Sequence, residues 1–87
     1  MSDEKDFLKL SKKEMAILLM LDRHKFMLLS EIRKSIASNY YYAILYIDKL
    51  MKKGLVKERR VGKYRIFYLT EKGEMYANTI KKYLELI

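Results

Sequence analysis

The chain has 87 residues, 19 of them basic and 11 acidic, for a net charge of +8. That length makes one domain with a thin core, and a hydrophobic share of 51% is high for it, which predicts a second buried surface beyond the monomer's own core. The absence of cysteine excludes disulfides, thiolate metal sites and thiol redox sensing, and the single histidine, His24, cannot build a typical metal site alone.

Residues 1–10 read as a flexible N-terminal arm, polar and mixed in charge, in which Phe7 is the side chain best suited to dock elsewhere. Helix 1 opens with Ser11 as N-cap and Glu14 three positions on, the pattern of a capping box, with Leu10 and Met15 placed to form a hydrophobic staple. Met15–Leu21 is apolar nearly all round, so this helix is expected to lie between other elements. That run is also far too short to span a membrane, and with no secretory signal the expected compartment is the cytoplasm. Asp22, Arg23, His24 and Lys25 end the helix, with His24 a solvated or dipole-paired side chain rather than a ligand.

Phe26–Leu29 is a short β-capable link. Ser30 is the expected N-cap of helix 2, which runs to about Ile36 with Ile32 and Ile36 turned to the core. Ala37 and Ser38 leave room only for a tight turn, with Ser38 capping helix 3. In that helix Ala43, Ile47, Leu50 and Met51 share an inner face with Tyr46 beside them. Asn39, Tyr41, Tyr42, Leu45, Asp48, Lys49 and Lys52 remain for the outer face. Aromatic bulk on a small domain is often buried, so one or two of Tyr40, Tyr41 and Tyr42 packing on helix 1 or 2 is the competing expectation. Lys52, Lys53 and Gly54 close the helix.

Two β-rich runs follow, Leu55–Val61 and Tyr64–Leu69, joined across Gly62-Lys63 as in a β-hairpin. Phe67 and Leu69 should cover the core, and Ile66 and Tyr68 should face away. Arg59, Arg60, Lys63 and Arg65 gather near the tip, where nothing within a single domain is expected to neutralise them. From Lys49 to Arg65, eight basic residues stand against one acid, Glu58, a balance of +7; the other 70 residues hold 11 basic and 10 acidic groups. Nearly all the excess charge therefore sits on a helix end and a hairpin, the electrostatic footprint of a polyanion binder. Thr70 caps a last helix whose stripe of Tyr76, Ile80, Tyr83, Leu84 and Ile87 could fold back on helix 1 or pair with a second subunit; a dimer built from both helices is the favoured reading.

Leu50-Met-Lys-Lys-Gly-Leu-Val56, the basic hairpin, and Tyr68-Leu-Thr-Glu-Lys-Gly73 together resemble the winged-helix transcriptional regulators of bacteria and archaea. The chain is similar to the MarR, PadR and ArsR-like groups and to small winged-helix proteins of archaea and their viruses. The resemblance covers Ser11 to the end. It implies that helix 3 reads DNA, the wing grips the backbone and the terminal helices form a dimer. The Cys and His clusters of metal-sensing members are missing here, and Tyr and Leu stand in helix 3 where relatives often carry Ser, Thr or Arg.

The expected fold is mainly α with a small β-hairpin: a winged helix-turn-helix over residues 11–70, with a dimerisation helix at 71–87 packed on the same domain. The expected partner is double-stranded DNA, contacted by Ser38, Asn39, Tyr41, Tyr42, Leu45, Lys49, Lys52 and Lys53 on helix 3 and by Arg59, Arg60, Lys63 and Arg65 on the wing. The expected function is a sequence-specific, homodimeric transcriptional regulator. The competing readings are a non-specific nucleic-acid or chromatin binder and a winged-helix protein-interaction module. No cofactor, metal or catalytic group is expected, since three scattered glycines and one histidine supply neither a phosphate loop nor a nucleophile–base pair.

Overall fold

Gly54 and Gly73, nineteen residues apart in the chain, meet across one seam, and the fold is built outward from it. In the computed structural model, which describes residues 9–86, the order is α1 (Lys12–His24), β1 (Phe26–Leu28), α2 (Leu29–Ser35), α3 (Tyr40–Lys52), β2 (Val56–Val61), β3 (Tyr64–Leu69) and α4 (Glu71–Glu85). Residues 1–8 of the expected arm, and Ile87 of the expected dimer stripe, lie outside the described residues. The helix α3 ends in a Schellman motif: Gly54 N donates to Met51 O at 2.9 Å and Leu55 N to Leu50 O at 3.0 Å. Gly54 takes φ 75°, the left-handed conformation that this ending needs. Thr70 then closes the seam from the other side. Its hydroxyl donates to Gly54 O at 2.6 Å and accepts from Gly73 N at 3.0 Å, while its own N–H donates to Leu55 O at 3.0 Å. A Cβ at Gly73 would lie 2.1 Å from Leu55 O, so only glycine fits there. The two short segments that carried the resemblance are thus a single contact.

Ser11 and Glu14 form the expected capping box, Ser11 N donating to Glu14 Oε1 at 2.9 Å and Glu14 N to Ser11 Oγ at 3.2 Å. Glu14 does more than cap. It is 4% exposed and accepts from Lys53 Nζ at 3.3 Å, which ties the start of α1 to the end of α3. Burial on its own pushes this carboxyl up, but the bonds from Ser11 and the Lys53 charge outweigh it and hold it below its ordinary value.

Two caps differ from expectation. The N-cap of α2 is Leu28, whose N–H donates to Glu31 Oε1 at 2.8 Å, and Ser30 lies inside the helix. The N-cap of α3 is Asn39, not Ser38: its Oδ1 accepts from Tyr42 N at 2.9 Å. Asparagine caps as well as serine does, and the turn decides between them. Ala37 adopts φ 51°, and Ser38 N is spent on Arg33 O at 3.2 Å, so the chain becomes helical one residue later.

The sheet has three strands rather than a hairpin alone. The link after α1 pairs antiparallel with β3, giving the order β1-β3-β2. The register sets Met27 against Phe67 and Glu58 against Phe67 from the other side. Phe67, Met27 and Val56 are buried with Ile17, Leu18, Leu21, Ile32, Ile47 and Leu50 in one core. Tyr76 and Ile80 belong to it too, at 7% and 4% exposure. These two positions of the expected dimer stripe are therefore covered within the monomer, because α1 is apolar enough to take them. The stripe opens to solvent only beyond that point, with Leu84 at 55% and Tyr83 at 48%. Among the described residues, no helix is long and apolar enough to cross a membrane.

Candidate nucleic-acid interface

The helical repeat places Tyr41, Leu45, Asp48 and Lys52 along the outward line of α3, flanked by Tyr42 and Lys49. Tyr41 is 66% exposed, Tyr40 and Tyr42 51% each, so none of the three tyrosines enters the core. Tyr41 and Tyr42 meet edge to face, with ring centroids 5.3 Å apart. Tyr40 lies instead over Arg33 of α2, 5.4 Å from the guanidinium carbon to the ring centroid. Leu45 is half-buried and stays outside the core cluster. Lys49 and Lys52 are exposed, and among the described residues neither has a carboxylate partner.

Lys53 behaves differently. Its charge is committed to Glu14, so it serves the α1–α3 joint rather than the open face. Ser38 is half-buried in the turn, and Asn39 is open to solvent but already engaged through its Oδ1 as the cap.

The wing's cations do not form one cluster. Alternation along β2 and β3 sends Arg60 and Arg65, directly opposite each other, to the helix side, and Arg59 with Lys57 to the far side. One charge of the helix-side pair is neutralised within the domain, contrary to expectation. Glu58 accepts from Arg65 Nε at 2.7 Å and Nη2 at 3.0 Å and stands 3.6 Å from Arg60 Nε. The Arg65 bond is the chief reason that the Glu58 carboxyl lies below its ordinary value, and the same bond raises Arg65. The charge of Asp48 on α3 adds a weaker attraction on Arg65. Arg60 remains 69% exposed at its side chain and Lys63 is exposed at the tip, so these two are the wing cations open on that side.

Gly62 at φ 61° and Lys63 with negative φ make the two-residue turn, the pattern of a type II′ connection. This turn brings the tip over a groove of about 290 Å³ lined by Leu28, Leu29, Ser30, Tyr40, Lys63, Tyr64 and Arg65. Tyr40 and Tyr64 were not singled out from the sequence as contact residues. The signal for Tyr64 was present in its place beside Gly62-Lys63; for Tyr40 it was not, because the pairing with Arg33 crosses the turn. The arrangement can present hydroxyls, ring edges and cations to a polyanion along one side. Among the described residues, no group of three His, Asp or Glu side chains is placed to hold a metal ion.

No family model matches this sequence, and no curated protein does. Solved structures match its fold closely. FabT of Streptococcus pneumoniae, solved in complex with DNA, superposes with a TM-score of 0.82 at 19% identity over 88% of this chain. AF1382 of Archaeoglobus fulgidus gives 0.82 at 24% identity over 91% of each chain. MepR of Staphylococcus aureus, a transcription regulator of the multidrug efflux pump MepA, gives 0.86 at 13% over 91%. The chain spans 56% of the length of FabT and 61% of MepR. The fold is the winged helix-turn-helix.

Proposed function

We propose that this protein is a sequence-specific DNA-binding regulator of transcription, non-catalytic and active as a homodimer in the cytoplasm. The helix α3 enters the major groove with Tyr41, Tyr42 and Leu45 toward base edges, and Lys49 and Lys52 toward phosphates. Arg60 and Lys63 hold the backbone or the adjacent minor groove from the wing. The observation that carries this reading is the outward face of α3. It exposes aromatic rings and two cations with no carboxylate partner among the described residues, beside a basic wing, on a fold shared with a protein solved on DNA. The exposed end of α4, with Tyr83 at 48% and Leu84 at 55%, is the part of the stripe left to cover in a dimer.

Selection of bound fragments from random duplex DNA, followed by sedimentation of the protein with and without the selected fragment, tests both parts. The expected outcome is an inverted repeat with half-sites about one helical turn apart, roughly 34 Å, bound by two chains. Enrichment of no sequence over random duplex would leave a non-specific binder instead, and a monomer in both runs would remove the dimer and the inverted repeat.

A further inference from the structure

The face of the sheet turned away from the helices takes no part in the reading above. Strand alternation sets Phe26, Tyr68 and Lys57 in one row across β1, β3 and β2. Leu28, Ile66 and Arg59 form the next row, and Tyr64 stands opposite Val61 at the tip. No acid occurs in these rows. Phe26 is 66% exposed and Val61 51%, and a shallow groove of about 430 Å³ runs between Phe26, Tyr68, Ile66, Val61 and Arg59. A contiguous exposed apolar face edged by cations marks an interaction surface rather than a solvated one.

An apolar protein segment and an unpaired nucleobase both suit such a face by area. Charge decides between them. Lys57 and Arg59 stand within the rows and Lys25 directly precedes Phe26; the acids near Phe26 and Tyr68, Asp22 and Glu74, lie beyond the rows, and Asp22 is held by Lys81 at 2.7 Å. Aromatic rings open on a sheet, interleaved with cations, offer π-faces for bases and charges for the phosphates between them. A duplex keeps its base faces stacked, so the ligand of this face is single-stranded. The geometry points to a second nucleic-acid site: the outer face of the sheet binds single-stranded nucleic acid, stacking bases on Phe26 and Tyr68 while Lys57 and Arg59 hold phosphates. Leu28 and Tyr64 border both surfaces, while Phe26, Tyr68, Lys57 and Arg59 are separate from α3, so the site stands whether or not α3 reads duplex DNA.

The test uses the full chain and 12-nucleotide DNA and RNA oligonucleotides carrying 2-aminopurine, titrated at low salt beside a duplex of equal length. Wild type should bind the single strands and quench 2-aminopurine through stacking. Phe26→Ala should weaken that binding about tenfold, the lower part of the range for removing one stacking ring, with duplex affinity unchanged. Phe26→Tyr should restore it. Arg59→Gln, at an exposed position, should weaken single-strand binding without touching the fold, and it decides the matter if Phe26→Ala lowers the melting temperature. No single-strand binding by wild type would overturn the proposal and leave the face to a protein segment. Equal losses on single strand and duplex would also overturn it, by placing both ligands on one surface.

Discussion

Two sets of lysines in this molecule do opposite work. Lys13, Lys53, Lys72 and Lys81 each reach across to another element: to Ile36 O, to Glu14 at 3.3 Å, to Lys53 O at 3.3 Å and to Asp22 at 2.7 Å. Among the described residues Lys49, Lys52 and Lys57 have no carboxylate partner, and they stand exposed, Lys49 and Lys52 on α3 and Lys57 on the outer sheet face. The lesson is that a basic segment locates an interface only after its internally held charges are subtracted. The same subtraction splits the wing, where Glu58 claims Arg65 and leaves Arg60 largely open.

The comparison breaks most severely at the seam where the structural set is anchored. Gly73→Ala would drive a Cβ to within 2.1 Å of Leu55 O, a backbone atom that cannot swing aside. A loss of about 4 kcal/mol or more is expected, as for the most damaging single substitutions, and DNA binding should disappear with the fold. Chemical denaturation measures it; a stability within 1 kcal/mol of wild type, on the scale of ordinary surface changes, would show that the seam opens without cost.

Lys53 and Lys52 are neighbours in sequence, and they sharpen the contrast. Lys53→Met should cost about 1–2 kcal/mol of stability by leaving Glu14 buried beside a missing charge, discounted because Lys53 itself is partly solvated. Lys52→Met should leave stability unchanged within about 0.5 kcal/mol. The Glu14 pair also has a pH signature. Its carboxyl lies below the ordinary value of 4.5 when folded, so the stability it contributes is present above that value and is lost as pH falls through the folded one. In Glu14→Gln the acid limb of the stability curve should be shallower. An identical limb in both proteins would assign the acid sensitivity to other carboxylates.

Much of the fold was legible because its signals are local. Ser11-Lys-Lys-Glu14 names a helix start, Lys53-Gly54 a helix end and Gly62-Lys63 a hairpin turn, each within a few residues. What stayed hidden depends on distance along the chain. Nothing in Phe26-Met-Leu28 states that it pairs with Ile66–Tyr68, forty residues on, because three residues are too few to show alternation. Glu14 reads as a cap and is also the partner of Lys53. The α4 stripe has one periodicity from Tyr76 to Ile87, and only the extent of α1 divides its covered half from its open half. At the candidate interface, the outward face of α3 was readable from its 3.6-residue repeat. The commitments of Lys53 and Arg65 were not, since a cation's partner lies elsewhere in space.

The α3 tyrosines test the open set from the side of selectivity. Tyr41→Ala at a position 66% exposed should change stability by no more than about 0.5 kcal/mol. It should alter preference at particular base pairs by roughly 1–3 kcal/mol, read by competition among variant duplexes. A uniform loss over all sequences would make Tyr41 a phosphate contact.

The smallest expected effect separates Arg60 from Arg65 on the wing. Arg65 gives Glu58 two bonds, at 2.7 and 3.0 Å, whereas Arg60 stands 3.6 Å away and keeps most of its side chain in solvent. Arg60 is thus free to leave the acid for a phosphate, and Arg65 is not. Arg60→Ala should reduce the slope of log affinity against log salt by about one, uniformly across duplex sequences. Arg65→Ala should instead leave the Glu58 carboxylate to Arg60, weakening binding because Arg60 is drawn away from the phosphate. Removing both charges at once, in Glu58→Gln with Arg65→Gln, should then restore the affinity that Arg65→Ala lost. The measurement is duplex binding across a salt series for all three variants. Failure of the double variant to recover would place Arg65 on the DNA directly and put the whole wing, rather than its outer half, at the interface.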